Sequence, residues 1–593
     1  MTCRPDKAAI AGLALLIALA GAPGLAQADR GDAGELIVAA NEDLRGGDPV
    51  SARVKLDAAL AQGVRRRVVA AAMGEALLDE GKLDQAGRWL RPGEFSPSSA
   101  MQGYRALSRL ERAEGDMPAA GRALDAALAL APEDGALWVD IARLRYGGGE
   151  HFSAIEAADR AVELAPDNPQ ALLLEGQLVR DSLGVVPAIA WLERAAEAAP
   201  EDLVIKGELA ATLGEAGEAG RMLALTREIL ASDPRNARAY YLQAVLAARA
   251  RDYTLARSLL NRVGKRLDKV PGMMLLEGVV EMALGNHALA AERLDVLVKQ
   301  QPANLKARDL LARALFLSGE YNYLIERFAN EARGEDASPY LQTTVARAYE
   351  ALDDRRSAAL YLELAAAGPG DPVLPVATQG RLGTLLASAS YGEAQGLVRG
   401  WLDGNPQLSD SLVASGDIDL VRGEAAGAAQ SYAQAARVRQ TDALFEKRFQ
   451  ALLAAGAMFE AVALSQERLT YNPRSPAALR TTAWLSAWSG DWGRARVLYE
   501  ALERTGAGRD PQLQADLALV RLNTGDAEAA LVAARRAYAI QRANPVATQA
   551  LGVSLVAAQE QPETARALLA KARSLMGDNP LLVQARVKLA EMS

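Results

Sequence analysis

The chain is poor in the residues that carry most protein chemistry. Its 593 positions hold one cysteine and two histidines, and only 5% of them are aromatic. A single thiol builds neither a disulfide framework nor a cysteine-rich zinc site, and two histidines leave little for metal ligation or a Ser-His-Asp triad. The shortage of aromatic rings argues against a conventional deep core. With 50% hydrophobic and 24% charged residues, the chain is neither disordered nor a membrane bundle. A net charge of −8 gives no electrostatic footprint for nucleic acid. Length alone would suggest about three or four domains. A helical protein whose core is alanine and leucine, with helices packed close together, meets all of these constraints.

Residues 1–28 read as a secretory signal peptide. Arg4 and Lys7 give a basic start, weakened by Asp6, and Ala8 to Ala20 is unbroken in its apolar character. Gly21-Ala22-Pro23-Gly24 then breaks the helix, and Ala26-Gln27-Ala28 is a small-x-small cleavage site. The apolar run is shorter than the roughly 20 residues a membrane span needs. Cleavage after Ala28 is therefore expected, with an uncleaved anchor as the alternative. Cys3 precedes the apolar run, so it is not placed for lipid attachment and leaves with the signal. The mature chain is then free of cysteine, which suits an oxidising compartment without depending on disulfides.

What the sequence does have is a period. An alanine recurs every 34 residues at Ala52, Ala86, Ala120, Ala154 and Ala188; Met222 takes the next slot, followed by Ala256, Ala290, Leu324 and Ala358. The step then stretches to 36 at Ala394 and continues, with single-residue slips, through Ala428, Ala461, Ala495, Ala530 and Ala565. Pro132, Pro166, Pro200, Pro234 and Pro302 keep the same beat. Within a unit the spacing predicts two amphipathic helices and a turn. In the fourth unit Trp138, Ile141, Ala142 and Arg145 mark the first helix, Gly147-Gly148-Gly149 the break, and Ala154, Ala158 and Ala161 the second, which ends near Pro166. Small residues recur at the expected crossing, Gly74, Gly176, Gly278 and Gly416 on first helices and the alanine series on second helices, so that the axes can approach closely.

This pattern resembles the tetratricopeptide repeat, carried by Trp138, Ala142, Ala154, Ala161 and Pro166 and again by Gly176, Ala188, Leu192, Ala195 and Pro200. The resemblance covers nearly all of residues 33–580. It implies an all-α solenoid superhelix of about sixteen helix-turn-helix repeats. The expected organisation is a signal at 1–28, an N-terminal array at 33–367, a C-terminal array at 368–580 and a capping helix at 581–593. The boundary is set at Gly368-Pro369-Gly370-Asp371-Pro372, where the phase slips.

No catalytic, cofactor or metal site is expected. His151 and His287 stand at equivalent places in the inter-helix turn, where Tyr253 and Trp492 stand in other units, and read as turn residues packing on a neighbour. No Walker-type phosphate loop occurs. Binding is the more promising class, since the resemblance implies a concave groove, lined by first helices, that holds peptides or protein segments. Arg109, Arg143, Arg313 and Arg347 share one groove-facing slot; Arg105 and Arg112 flank the first of them, and Arg180 lies nearby. Such guanidinium groups either clamp acidic groups of a partner or neutralise neighbouring carboxylates. Trp484 and Trp488 share a helix face and form either an exposed pair for aromatic, proline-rich or sugar ligands or ordinary core.

The function expected from these readings is a non-enzymatic scaffold in a bacterial envelope, periplasmic after export, with protein partners and no nucleic acid. Resemblance to exported repeat arrays suggests exopolysaccharide secretion or envelope assembly. A soluble peptide- or glycan-binding module or chaperone is the alternative, and a membrane-anchored regulator is a third class.

Overall fold

The structure is a computed structural model that describes residues 30–334, 337–367, 380–508 and 510–591. The expected signal, Cys3 and the boundary at Gly368 to Pro372 lie outside the described residues. Those residues contain 33 α-helices and no strand. Sixteen antiparallel pairs follow one another and a final helix, Pro580–Glu591, packs against the last pair. The all-α repeat fold predicted from the period is the fold observed. Compactness divides the chain between Glu133 and Asp134. The first unit holds the three pairs from Arg30–Arg45 to Met117–Leu130, and the second begins at Gly135–Gly147. Among the described residues no helix is long and apolar enough to cross a membrane.

Each pair is built around its phase position. All sixteen, from Ala52 to Ala565 and including Met222 and Leu324, are no more than 2% exposed. The glycines opposite do not meet the alanine series, as the sequence suggested. They receive the large side chain one turn beyond it. A Cβ on Gly176 would lie 2.8 Å from Leu192, one on Gly278 2.6 Å from Leu294, and one on Gly416 2.5 Å from Tyr432. The rule is complementarity across the crossing, and it also runs in reverse: Phe449 occupies the glycine slot where the opposing residue is the small Ser465. Three second-helix slots hold aromatics, Phe328, Tyr432 and Tyr499, and Tyr361 stands one residue short of its slot. Phe328, Tyr361, Tyr432 and Tyr499 are all fully buried or nearly so.

The units are also punctuated by caps that the sequence reading overlooked. Asp134, Asn168, Asp202, Asn236, Asn304 and Ser338 each precede a first helix, and each accepts a backbone N–H from its first turn. They fall on the 34-residue beat two residues after the prolines or in the equivalent slot. Each contributes about 1 kcal/mol by satisfying an otherwise unpaired donor. The inter-helix turn needs one left-handed residue, which Gly149 supplies at φ 82°.

The complementarity at the crossing sets an expectation. Gly278→Ala and Gly416→Ala should each destabilise by about 1–3 kcal/mol through overpacking. Gly121→Ala, whose added Cβ meets nothing within 4 Å, should be neutral or stabilising. Thermal melting of the three variants checks this.

Candidate functional site

The predicted groove arginines occupy first helices, and most are already engaged. In the first unit Arg109 bridges Glu75 at 3.1 Å and also pairs with Asp79. Arg105 is half-buried, and Arg112 is exposed. In the second unit Arg143 donates to the Gln170 side chain at 2.9 Å, and Arg180 pairs with Glu208, which also binds Arg238 at 2.5 Å. Arg313 is half-buried and Arg347 exposed. For Arg109 and Arg180 neutralisation by carboxylates of adjoining helices describes the geometry. The offset of 28 to 34 residues between these partners was a signal present in the sequence.

The tryptophans divide differently. Trp488 is 65% exposed, while Trp484 is 40% exposed and rests edge-on against the buried Phe449 at 6.3 Å. Neither indole is core. Both stand on the first helix Pro476–Trp488. His151 packs on Tyr146 at 5.0 Å between ring centres, and burial lowers its pKa. Among the described residues no group of three or more His, Cys, Asp or Glu is placed to hold a metal.

A feature with no counterpart in the repeat pattern lies inside the second unit, where the stack returns onto itself. Gly149 C=O accepts from Asn405 Nδ2 at 3.3 Å, Ser153 N–H donates to Gln407 Oε1 at 3.0 Å, and Ser409 N–H donates to His151 Nδ1 at 3.4 Å. These partners are 254 to 258 residues apart, about seven and a half repeats. One repeat further on, Gln440 N–H donates to Asp181 C=O at 2.8 Å. The Asn472 side chain accepts from Val185 N–H at 3.2 Å and donates to Leu183 C=O at 3.1 Å. The helices Val185–Ala198 and Met458–Tyr471 touch here. Asn472 thus mimics a strand partner for an open turn, satisfying a backbone donor and acceptor that would otherwise face outward.

Glycine makes this approach possible at three successive turns. A Cβ on Gly149 would lie 3.3 Å from Leu408, one on Gly184 2.7 Å from Asn472 Cγ, and one on Gly217 3.2 Å from Arg474. The turn glycines Gly285, Gly319, Gly423 and Gly456 would meet nothing within 4 Å. Gly149, Gly184 and Gly217 therefore serve close packing as well as the turn.

Two clefts flank this seam. One, of about 510 Å³, sets Arg180, Glu208, Glu215 and Arg238 against Arg439, Gln440 and Arg468. The other, of about 440 Å³, sets Glu175, Val179 and Leu183 against Arg437, Arg448, Leu464 and Tyr471. Charge in the first is largely paired: Arg180 and Arg238 share Glu208, and Arg468 binds Asp442 at 3.0 Å. In the second it is not. Glu175 Oε2 is buried without a hydrogen-bond partner, and burial, reinforced by Asp159, pushes the carboxyl up to about 7. Burial also lowers the pKa of Arg448.

No family profile matches the chain, and no curated protein matches it. Solved structures do. The Cut9–Hcn1 hetero-tetramer of the APC/C matches over 89% of this chain and 97% of that one, at 13% identity and a TM-score of 0.34. PilW, a type IV pilus biogenesis factor, matches over 36% and 98%, at 20% identity and a TM-score of 0.31. PilF of Pseudomonas aeruginosa matches over 34% and 93%, at 21% identity and a TM-score of 0.29.

Two outcomes follow from the seam. Asn472→Ala should raise amide hydrogen exchange at Val185 and Gln440 while amides of the Pro511–Asn523 helix stay protected; unchanged exchange at the seam would refute its closure. Glu175 gives a pH dependence with a definite sign. Its folded pKa lies above its unfolded value, so between about pH 4.5 and 7 the folded state holds the extra proton and stability falls as pH rises. The loss is on the order of 2 kcal/mol after discounting for residual solvent access. Glu175→Gln should flatten that slope in urea titrations at pH 5 and pH 8.

Proposed function

We propose that the protein is a non-enzymatic scaffold that holds segments of partner proteins on the inner faces of its first helices, within a bacterial cell envelope. The observation that carries the reading is the indole pair on the Pro476–Trp488 helix. Trp488 is 65% exposed, and Trp484 presents a partly open face beside Phe449. Large aromatic surface left in water costs solvation free energy, which contact with a partner recovers. Indoles of this kind are typical anchors of protein interfaces.

The inner arginines act as a second layer in this proposal. Those already paired in the stack, such as Arg109 and Arg180, keep the first helices in register and exchange partners only at a cost. The exposed Arg112 and Arg347 are the better candidates for a partner's carboxylates. Export is the expectation from the apolar Ala8–Ala20 run, and a place in exopolysaccharide secretion or envelope assembly is the finer proposal. Either would use a long row of rigid, independently addressable faces.

A photo-crosslinking amino acid at Trp488 tests the reading in living cells. A discrete, stoichiometric envelope protein should be captured, and Trp484→Ala should reduce the yield at least about fivefold, as expected for loss of an interface anchor. Capture of no protein at all would overturn the scaffold reading. Protection of Trp488 by saccharides alone would replace it with the glycan-binding alternative.

A further inference from the structure

The cleft of about 440 Å³ beside the seam contains an unusual juxtaposition. One wall comes from the helix Pro169–Ser182 and its following turn, with Glu175, Val179, Ser182 and Leu183. The opposite wall comes from the helices Ala425–Ala436, Asp442–Ala454 and Met458–Tyr471. Glu175 and Arg448 are each half-buried, and burial shifts each toward its neutral form. Among the described residues no ion pair or hydrogen bond engages either side chain, and neither charge is a cause of the other's shift. They stand on opposite walls of the cleft, and no hydrogen bond or ion pair among the described residues joins them.

The other charges around the cleft do not resolve this. Asp159, behind Glu175, is a like charge and makes ionisation harder. Arg437 lies over the Phe152 ring at 5.3 Å, and Arg468 binds Asp442 through one terminal nitrogen while its Nε is buried without a partner. Glu467 attracts Arg448 electrostatically without forming an ion pair. Glu175 Oε2 is buried without a partner, which is costly, and it and the half-buried Arg448 would each be satisfied by an opposite charge brought into the space between them. The cleft volume falls in the range of small-molecule sites, and Val179, Leu183, Leu464 and Tyr471 supply an apolar lining between the charged ends.

We propose that this cleft binds a small zwitterion, an amino acid or short peptide with free ends, placing its ammonium on Glu175 and its carboxylate on Arg448. Arg448 suits a carboxylate because its planar fork can bind both oxygens. The separation of the two walls selects ligands whose charged ends are spaced apart, so chain length is a determinant of affinity. Because the site is built from residues about 270 positions apart in the sequence, it exists only while the seam is closed. This inference is independent of the scaffold reading, since it uses neither the tryptophans nor the inner arginines.

The test is isothermal titration of the full chain with glycine, γ-aminobutyrate, dialanine and trialanine, and with N-acetyl-alanine-methylamide as the uncharged control. At least one zwitterion should bind saturably at one site per chain, with a dissociation constant below about 10 mM. The uncharged control should not bind. At pH 7 binding should release protons, read from the heat in two buffers, because an ammonium on Glu175 drives its carboxyl to ionise. Glu175→Gln and Arg448→Gln should each weaken binding at least about fivefold. Circular dichroism melting establishes that each variant is folded, and if Glu175→Gln fails to fold, Arg448→Gln and the proton release decide. Absence of binding by every zwitterion, equal binding of the uncharged control, or affinity in a folded Arg448→Gln variant within fivefold of the parent would each overturn the proposal.

Discussion

Everything in this molecule depends on how two helices cross within a repeat. A pair of 13- or 14-residue helices has too little apolar surface to be stable alone, and each pair must bury one face internally and another against the next. The internal crossing is solved by size complementarity at one pair of slots. Where the first helix offers glycine the second supplies leucine or tyrosine, and where the first supplies Phe449 the second offers Ser465. Within the second unit the stack returns onto itself, bringing Gly149 to Asn405 and Gly184 to Asn472.

The seam ties together turns that are far apart in the sequence. Its contacts are individually modest: neutral hydrogen bonds, each contributing on the order of 1 kcal/mol. Their value is that they close a loop. A stack that touches only its nearest neighbours bends easily, since each interface contributes its own slack. Tying turns about 256 residues apart removes the sum of that slack in one step. The clefts beside the seam inherit the same property, because their opposing walls belong to distant repeats and are positioned by the whole intervening arc. Groups such as Glu175 and Arg448 can then be held apart, which local flexibility would otherwise let collapse into an ion pair.

Much of the fold was legible in the sequence because its information is local and repeated. The phase alanines, the prolines and the glycine turns each recur on one beat, and all sixteen phase positions are buried. The alanine-on-glycine crossing was misread because composition shows that small residues are abundant but not which large residue meets them; the step of four from Ala188 to Leu192 was there to be seen. The arginine column was legible as a column. Its neutralisation required reading a second column, of carboxylates 28 to 34 residues away, against it. The seam was not legible at all. Its register depends on the rotation per repeat, a quantity set by packing and written in no single motif: Asn405, Gln440 and Asn472 recur at nearly one slot after successive second helices, but nothing in that beat says which distant turn they face.

The shortage of aromatic residues takes on a different meaning once their positions are known. In a chain that builds most of its crossings from alanine and leucine, an aromatic ring is a local choice. Phe328, Tyr361, Tyr432, Phe445 and Tyr499 fill the largest buried spaces. Phe459, at 91% exposure, and Trp488, at 65%, do the opposite, on adjacent helices of the same region. Surface apolar residues are common and need no special account when they are scattered valines and leucines. Two of the scarcest and largest side chains in the sequence, placed in water where alanine would have served the fold equally well, are not part of what holds the stack together. The folding requirement is met without them, and it is on exposed rings of this kind that the partner-binding proposal rests.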